Sequence, residues 1–248
     1  MPSAPWTPRH TAAALAGGHL LIAGAPGTGK SRLLNGTLLP PLVRAGDPLL
    51  VIQDPATGHG PTLGLRAATF GREAAVGDLL ARPTLVTFTG THPEREAQAE
   101  RLFADLPAAL AAAPAPAGAR RFLVIDVAPL TPALRSFAPL LRQARSLGCT
   151  LIVTCQSPSS LEPGLPALFT SHVAFYHFYK RCLRVMAENV LAATGAEETN
   201  PSGKPTPINR FGQPLATPAS RMVGKLGDLK VGECFLVTPG APYEPLRT

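Results

Sequence analysis

The chain has 248 residues, a length that suits one large hydrophobic core better than two independent ones. Apolar residues make up 45% and charged residues 16%, which excludes a disordered chain, and 28 prolines with 23 glycines exclude a coiled coil or a long helical bundle. Lys and Arg total 23 against 16 Asp and Glu, and the resulting charge of +7 fits a polyanionic partner such as nucleic acid.

The cysteine pattern and the apolar runs indicate the compartment. The four cysteines form no CxxC pair and no cluster with zinc-ligand spacing, so we expect free thiols in a reducing, cytoplasmic environment. The first ten residues lack an apolar signal core. The longest apolar runs reach about seven residues, far short of the roughly 20 that span a membrane, so no membrane span is predicted.

The first part of the chain predicts three strands and a helix. Residues 19–25 are a short buried strand that leads into a glycine-rich turn. A helix should follow over about 29–39 and end at the proline pair 40–41. Two more apolar strands are predicted over 49–53 and 84–89.

A second helix is predicted to begin after Thr91. Thr91 and Glu94 form a capping box, and apolar residues recur behind them at helical spacing. Pro107 is expected to interrupt this helix, and the Ala/Pro stretch over 111–118 is expected to be a flexible loop.

The second half continues the alternation of strands and helices. Further strands are predicted over residues 122–127, 149–154, 172–178 and 232–237, and helices near 134–144, with a possible break at Pro139, and over 182–193. The polar segment 195–230 is predicted to be a long loop, of a length that is usually either functional or disordered. Apolar strands that alternate with helices predict an α/β fold, with a mostly parallel sheet covered by helices on both faces.

A complete phosphate-binding loop follows the first strand. Residues 24–31 fit the Walker A pattern GxxxxGK[ST] between a strand and a helix, the context that this motif requires. Lys30 can reach the β- and γ-phosphates of ATP, and the Ser31 hydroxyl can bind Mg²⁺. The expected nucleotide-binding residues are Gly24, Ala25, Pro26, Gly27, Thr28, Gly29, Lys30, Ser31 and the following Arg32.

An acidic residue ends the strand over 122–127. Asp126 is expected to hold Mg²⁺ together with Ser31. Many such ATPases carry a Glu directly after this Asp, to polarise the attacking water, but here the position is Val127. We therefore expect slow hydrolysis or a base elsewhere. Asp54 and Gln156 end other strands and are candidates near the γ-phosphate, with loop capping as the alternative role for each.

Three segments together resemble the FtsK/HerA superfamily of DNA-pumping ATPases. They are residues 18–31, which read GHLLIAGAPGTGKS, residues 122–126, and residues 145–159, which resemble the block "aR-x-x-G-strand-TQ-x-P". Cys155 stands where that block usually has Thr. His19 also matches by type, although a partly buried strand residue is an equally good interpretation.

The resemblance implies a RecA-like P-loop NTPase. It implies one motor domain over 1–248 with its nucleotide-binding core in 18–160, Gln156 as a sensor of the γ-phosphate, and assembly into a ring, with a hexamer expected. In such a ring an arginine from one subunit can stabilise the phosphoryl group held by its neighbour. The candidates for this arginine finger are Arg145, which matches the superfamily block, and Arg142 on the same helical face; exposed surface arginines are the alternative interpretation.

The implied function is ATP-driven movement of DNA. A motor of 248 residues is similar in size to the packaging ATPases of double-stranded DNA viruses, which would place it in the host cytoplasm or with the virion and give it a capsid partner. Two alternatives stay open. One is a plasmid or conjugative transfer motor, and the other is a nucleotide-binding switch that hydrolyses little, which the missing Glu favours.

Basic clusters are the candidate DNA contacts, since phosphate contacts give affinity without sequence specificity. They are Arg120, Arg121, Lys180, Arg181, Arg184, and, in the long loop, Lys204, Arg210, Arg221 and Lys225. Four aromatic residues precede the second cluster and suggest base stacking, with a core strand as the alternative: Phe175, Tyr176, Phe178 and Tyr179. The segment 195–230 is the first choice for a loop that faces the pore of a ring.

Overall fold

The computed structural model describes residues 3–16, 18–53, 64–70, 76–113, 119–126, 138–158, 161–162, 164–177, 180–194, 218–238 and 244–248. The strands are β1 (Ala4–Pro5), β2 (Leu20–Ala23), β3 (Leu49–Gln53), β4 (Arg66–Thr69), β5 (Thr84–Thr87), β6 (Arg121–Asp126), β7 (Cys149–Cys155), β8 (Ser171–Phe175), β9 (Glu233–Val237) and β10 (Glu244–Arg247). The helices are α1 (Pro8–Ala16), α2 (Lys30–Leu33), α3 (Leu39–Ala45), α4 (Val76–Leu80), α5 (His92–Ala112), α6 (Ala138–Gln143), α7 (Lys180–Thr194) and α8 (Pro218–Gly227).

Within these ranges the strands form one ten-stranded sheet, in the order β1-β10-β9-β8-β2-β7-β6-β3-β5-β4. The strands from β8 to β4 in this order are all parallel, and β9 is antiparallel to both β8 and β10. Strand β7 therefore lies between β2, which leads into the glycine-rich loop, and β6, which ends in Asp126. The predicted mostly parallel sheet is confirmed.

Helices cover both faces of the sheet, and alternate residues of each inner strand point to opposite faces. In β3, Leu49 and Val51 pack with α1, α2 and α3, whereas Leu50 and Ile52 pack with α4 to α8. Every residue of this strand is buried. A strand buried on both faces needs an unbroken apolar sequence, which is why the central strands could be predicted from their composition.

The helix after the glycine-rich loop does not end at the proline pair 40–41. Helix α2 continues through a π-helical turn (Leu34–Leu38) into α3, which ends at Ala45. The amide of Leu39 donates to the carbonyl of Leu34, five residues back, so the hydrogen-bond register changes just before the prolines. The prolines then occupy the first turn of α3, where a missing N–H is tolerated. The predicted end near residue 39 is therefore wrong.

Helix α5 begins as predicted but runs through its proline. The amide and the hydroxyl of Thr91 both donate to the Glu94 carboxylate, at 2.6 and 2.8 Å. The helix continues past Pro107 to Ala112, so the predicted interruption is wrong, as is the start of the predicted loop at 111. Buried side chains on both sides of the proline, Phe103 and Leu110 among them, pack on the sheet and hold both parts of the helix in place.

Several peripheral elements were not predicted. They are β1, β4, β10, α1, α4 and α8. Helix α8 lies inside the predicted loop 195–230, which is therefore wrong for 218–227; its apolar stripe, with Met222 and Leu226, is buried against α7. Residues 195–217 lie outside the described residues, as do residues 114–118 and the 134–137 part of the predicted helix near 134–144. In the part of the chain that is described, no helix combines the length and the apolarity that a membrane crossing requires.

His19 connects three elements at the edge of the sheet where β2 begins. Its ring accepts a hydrogen bond from the Leu151 amide at 3.1 Å, and its carbonyl accepts from the amides of Thr170 and Ser171 at 3.1 and 3.2 Å. The side chain is buried, so the buried-strand interpretation holds. Burial, and secondarily the charge of Arg145, lower the pKa of His19 to about 4, and burial lowers the pKa of His172 to about 4 as well.

Two of the buried histidines, His19 and His172, predict a loss of stability in mild acid. Both are neutral in the folded state but protonate near pH 6.5 when the chain unfolds, so the unfolded state binds more protons between about pH 6.5 and 4. The free energy of unfolding should fall by about 2 kcal/mol between pH 7.5 and 5.5, as measured by urea denaturation. Above pH 7.5 both histidines are neutral in the folded and the unfolded state, so they should not change the free energy of unfolding there.

The variant His172→Gln should reduce this loss by about half. The exposed His92, replaced as His92→Gln, is the control and should leave the loss nearly unchanged. An equal pH dependence in wild type and His172→Gln would contradict the assignment.

Candidate nucleotide-binding site

The phosphate-binding loop extends from the end of β2 to the start of α2, and its shape depends on its glycines. Gly27 and Gly29 have φ angles of 75° and 115°, a left-handed region that other residues rarely adopt. A Cβ atom on Gly24 would lie 2.5 Å from the Cβ of Phe175, so only glycine fits between β2 and β8 at this point. The backbone is thus folded into a cradle that side chains would fill, as a phosphate site requires.

Lys30 points into this cradle. Its ammonium donates to the carbonyls of Gly24 and Ala25, at 2.7 and 2.8 Å. Burial lowers the pKa of Lys30, and the nearby Asp126 carboxylate acts in the opposite direction. The cation is therefore held inside the loop and close to the acidic residue of the site.

Asp126 is held by two residues that the sequence analysis did not select. The Thr154 hydroxyl donates to one carboxylate oxygen, and the Gln53 amide nitrogen lies 3.4 Å from the other. Strand register explains the cluster, since Asp126 is paired with Gln53 of β3 on one side and with Thr154 of β7 on the other. All three are buried. Their only signal in the sequence is a polar residue at the end of an apolar strand.

Gln156 and His177 lie at the same edge of the sheet as the loop. Cys155, which precedes Gln156, is paired with Ala23, which precedes the loop, and its carbonyl accepts the Gly24 amide at 3.3 Å. The side chain of Gln156 is exposed, and its backbone is hydrogen-bonded to the His177 ring. Burial, followed by the charge of Lys30, lowers the pKa of His177. Residue 177 was predicted to lie in a strand, and its position beside the site was not predicted.

The loop is also attached to the far end of the chain. The amide of Gly232 donates to the Thr28 carbonyl at 2.9 Å, and the amide of Thr248 donates to the Gly232 carbonyl at 2.8 Å. The site is therefore in contact with β9 and β10 as well as with the nucleotide-binding core predicted over 18–160.

The remaining predicted loop residues surround the cradle. Pro26, Gly27 and Arg32 are exposed, and Ser31 is half-buried at the start of α2. Asp54 and Val127 lie outside the described residues.

Both candidate finger arginines are exposed, and Arg145 lies away from the phosphate-binding loop. The Arg145 guanidinium packs against Gly18, where an added Cβ would lie 2.9 Å from it, at the edge of the sheet where β2 begins. Gly18 and Gly24 are six residues apart along an extended segment, which corresponds to roughly 20 Å. Arg145, beside Gly18, is therefore far from the loop that begins at Gly24. Arg142 lies 3.9 Å from the carboxylate of Glu162 on the surface.

The predicted DNA contacts fall into two groups, and Arg121 of the first group does not fit. Arg121 is buried and donates to the carbonyls of Leu110 and Ala113 at the end of α5, so it completes a helix terminus. Phe175 is a buried strand residue, and Tyr176 packs against the core. The stacking interpretation is therefore wrong for Phe175. Arg120 is exposed and donates to the Leu15 carbonyl at 3.2 Å.

The second group lies on the helix pair α7–α8. Arg181 and Arg184 are exposed on α7, where Arg184 pairs with Glu188 at 3.6 Å, and Lys225 is exposed on α8. The two helices pack together, so cations that are far apart in sequence lie on neighbouring helices. The side chains of Lys180 and Arg221, and the whole of Phe178, Tyr179, Lys204 and Arg210, lie outside the described residues.

Comparison with known proteins finds similar solved structures but no matching sequence family. No protein-family model matches the sequence, and no curated protein matches it. The structure is similar to the genome packaging NTPase B204 from Sulfolobus turreted icosahedral virus 2 in complex with AMPPCP, at 15% sequence identity over 88% of this chain and 91% of that chain, with a TM-score of 0.57.

Two other solved structures are similar to the chain. One is the bacterial conjugative coupling protein TrwB in its unbound form, at 14% identity over 92% of this chain and 84% of that chain, with a TM-score of 0.57. The other is the cytoplasmic domain of the type VII secretion ATPase EccC from Thermomonospora curvata, at 18% identity over 93% of this chain and 25% of that chain, with a TM-score of 0.50. The chain thus has the RecA-like P-loop NTPase fold that its sequence motifs indicated.

The close contact between Gly24 and Phe175 predicts that this position accepts no side chain. Gly24→Ala should destabilise the protein by about 1–3 kcal/mol through overpacking and should weaken nucleotide binding by displacing the loop. Thermal denaturation and nucleotide titration measure the two effects.

Gly36→Ala is the matched control. Gly36 lies in a helical segment, and a Cβ added there meets nothing within 4 Å. It should raise stability by up to about 1 kcal/mol. If Gly24→Ala were as stable and bound nucleotide as well as wild type, the loop geometry described above would be wrong.

Proposed function

We propose that the chain is one motor domain over 1–248 that hydrolyses ATP to move DNA, and that its role is to package the genome of a double-stranded DNA virus. The observation that carries the ATPase assignment is the position of Lys30 and Asp126 at one edge of the sheet. A half-buried cation inside a glycine cradle and a buried, hydrogen-bonded carboxylate lie close together.

The residues of the site fit ATP and Mg²⁺. The glycine cradle leaves room for phosphates, Lys30 supplies their counter-charge, and the exposed Arg32 follows at the start of the helix. The Ser31 hydroxyl and the Asp126 carboxylate supply the oxygen atoms that Mg²⁺ prefers. When bound, Mg²⁺ neutralises charge on the triphosphate. Thr154 and Gln53 keep the carboxylate in one orientation throughout.

The attacking water needs a residue that orients it, because Val127 has no acidic group. We assign this role to Gln156, whose exposed side chain lies next to the loop, with Asp54 as the second candidate. Slow basal hydrolysis follows, since a neutral amide orients water but accepts its proton poorly.

The packaging role is supported by the similarity to B204, which extends over most of both chains. TrwB is as similar by TM-score, so a plasmid or conjugative transfer motor is the second candidate. In either role the partner is DNA, bound without sequence specificity through cations such as Arg181, Arg184 and Lys225. A capsid or a transfer machine would be the protein partner.

Replacing the loop lysine tests the ATPase assignment. Lys30→Ala should abolish ATP hydrolysis and sharply weaken binding of ATP·Mg²⁺, because the Lys30 ammonium is the cation held at the Gly24 and Ala25 carbonyls of the cradle. Wild-type hydrolysis should rise when double-stranded DNA is added. Phosphate release with and without DNA is the measurement.

Unchanged turnover in Lys30→Ala would refute the site. Turnover that depends on Lys30 but ignores DNA would refute the translocase and support a nucleotide-binding switch. Lys225→Ala serves as the control for loss of a surface cation, and it should leave DNA-free hydrolysis unchanged.

We also propose that the active form is a ring, with a hexamer expected, in which Arg145 or else Arg142 reaches the γ-phosphate held by the neighbouring subunit. Arg145 is exposed and too far from the loop of its own subunit to act there. The planar guanidinium can bind two phosphate oxygens at once and stabilise the transition state.

A mixing experiment tests the finger. Lys30→Ala and Arg145→Ala subunits should each be inactive alone, whereas mixed rings should regain part of the hydrolysis, because one subunit supplies the arginine and the other supplies an intact loop. The control is Arg101→Ala, an exposed arginine on α5, which should be active alone. Full activity of pure Arg145→Ala and of pure Arg142→Ala would exclude both residues.

A further inference from the structure

The topology of the sheet determines on which side of the phosphate loop a nucleoside can lie. Asp126 belongs to β6, which is separated from β2 by β7, so the metal side of the site faces β7 and β6. The terminal phosphate of a bound triphosphate must lie on that side. The nucleoside, at the other end of the triphosphate, must then leave the loop toward β8 and β9.

The turn Lys230–Gly232, which leads into β9, occupies that side. Strand β9 is antiparallel to β8, and Cys234 is paired with Phe175, so β9 begins at the edge where β8 ends. The Gly232 amide is bonded to the Thr28 carbonyl of the loop at 2.9 Å. A Cβ on Gly29 would lie 3.4 Å from both the Gly232 Cα and the Thr248 hydroxyl oxygen, so turn and loop are in direct contact.

Val231, in this turn, is a large apolar residue whose side chain is exposed. Its side chain is 77% exposed, and it is the one large apolar residue that stands out as exposed among the described residues. Two hydrogen bonds fix the turn on either side of it, from the Lys230 amide to the Glu233 carboxylate at 2.9 Å and from the Gly232 amide to the loop. An apolar group on a fixed turn can bury surface against a ligand without first being ordered.

We propose that Val231 and the turn Lys230–Gly232 form the subsite for the nucleobase and ribose of the bound nucleotide. This inference rests on the proposed function, since it names a further part of the same site. The described turn offers an apolar side chain and backbone groups, which contact the face of any purine. ATP and GTP should therefore bind with similar affinity through this contact.

The test compares nucleotide with tripolyphosphate, which lacks the base and the ribose. Binding of a non-hydrolysable ATP analogue with Mg²⁺, and of tripolyphosphate with Mg²⁺, is measured on wild type, Val231→Ser and Val231→Ile. Val231→Ser should weaken binding of the analogue about fivefold, because the buried apolar contact is lost, and leave tripolyphosphate affinity unchanged. Val231→Ile keeps the apolar contact and should bind the analogue as wild type does. Val231 is exposed, so both variants should fold normally.

Each other outcome overturns the inference. Equal analogue affinity in Val231→Ser and wild type refutes the subsite, while the Lys30-dependent site stands if Lys30→Ala still sharply weakens binding. Equal losses for the analogue and for tripolyphosphate mean that the turn only supports the loop. A change in oligomeric state at unchanged affinity places Val231 in a subunit interface. Absence of any nucleotide binding by wild type refutes the subsite and the proposed function together.

Discussion

The hydrogen bonds that Thr154 and Gln53 donate to Asp126 join the three central strands at the edge where the site lies. A buried carboxylate without partners would be costly, and here both oxygens are held by neighbouring strands. The contact requires β3, β6 and β7 to be parallel and in register. The same register brings Cys155 beside Ala23 and thus sets the phosphate loop next to the carboxylate. The sheet and the site therefore depend on one another.

The sequence predicts the central strands and the loop because each has a strong local cause. Strands such as β3 and β6 are buried on both faces and must be apolar throughout, and the glycines and lysine of residues 24–31 follow a fixed spacing. The capping box at Thr91 is equally local. In contrast, β4 and the two-residue β1 lie at the sheet edges and are partly or fully exposed, so their composition differs little from that of a loop.

The failures of prediction arise where tertiary contacts override local preference. Proline is expected to end a helix, yet the prolines after residue 39 follow a π-helical turn and Pro107 lies within a helix packed on the core. Arg121 belongs to a basic pair in sequence, but its partners are carbonyls at the end of α5. The roles of Thr154, Gln53 and His177 depend on strand pairing over long separations, which no local pattern in the sequence records.

The central claim is that Asp126, held by its two neighbours, completes a metal–triphosphate site with Lys30. The most direct test is the affinity of a non-hydrolysable ATP analogue, with and without Mg²⁺, for wild type, Asp126→Asn and Thr154→Val. Mg²⁺ should strengthen binding of the analogue to wild type and should do so much less for Asp126→Asn. The effect of Mg²⁺ should be intermediate for Thr154→Val, because this variant keeps the carboxylate but loses its hydroxyl partner. If Mg²⁺ strengthens binding to all three proteins equally, Asp126 is not part of the site and the account is wrong.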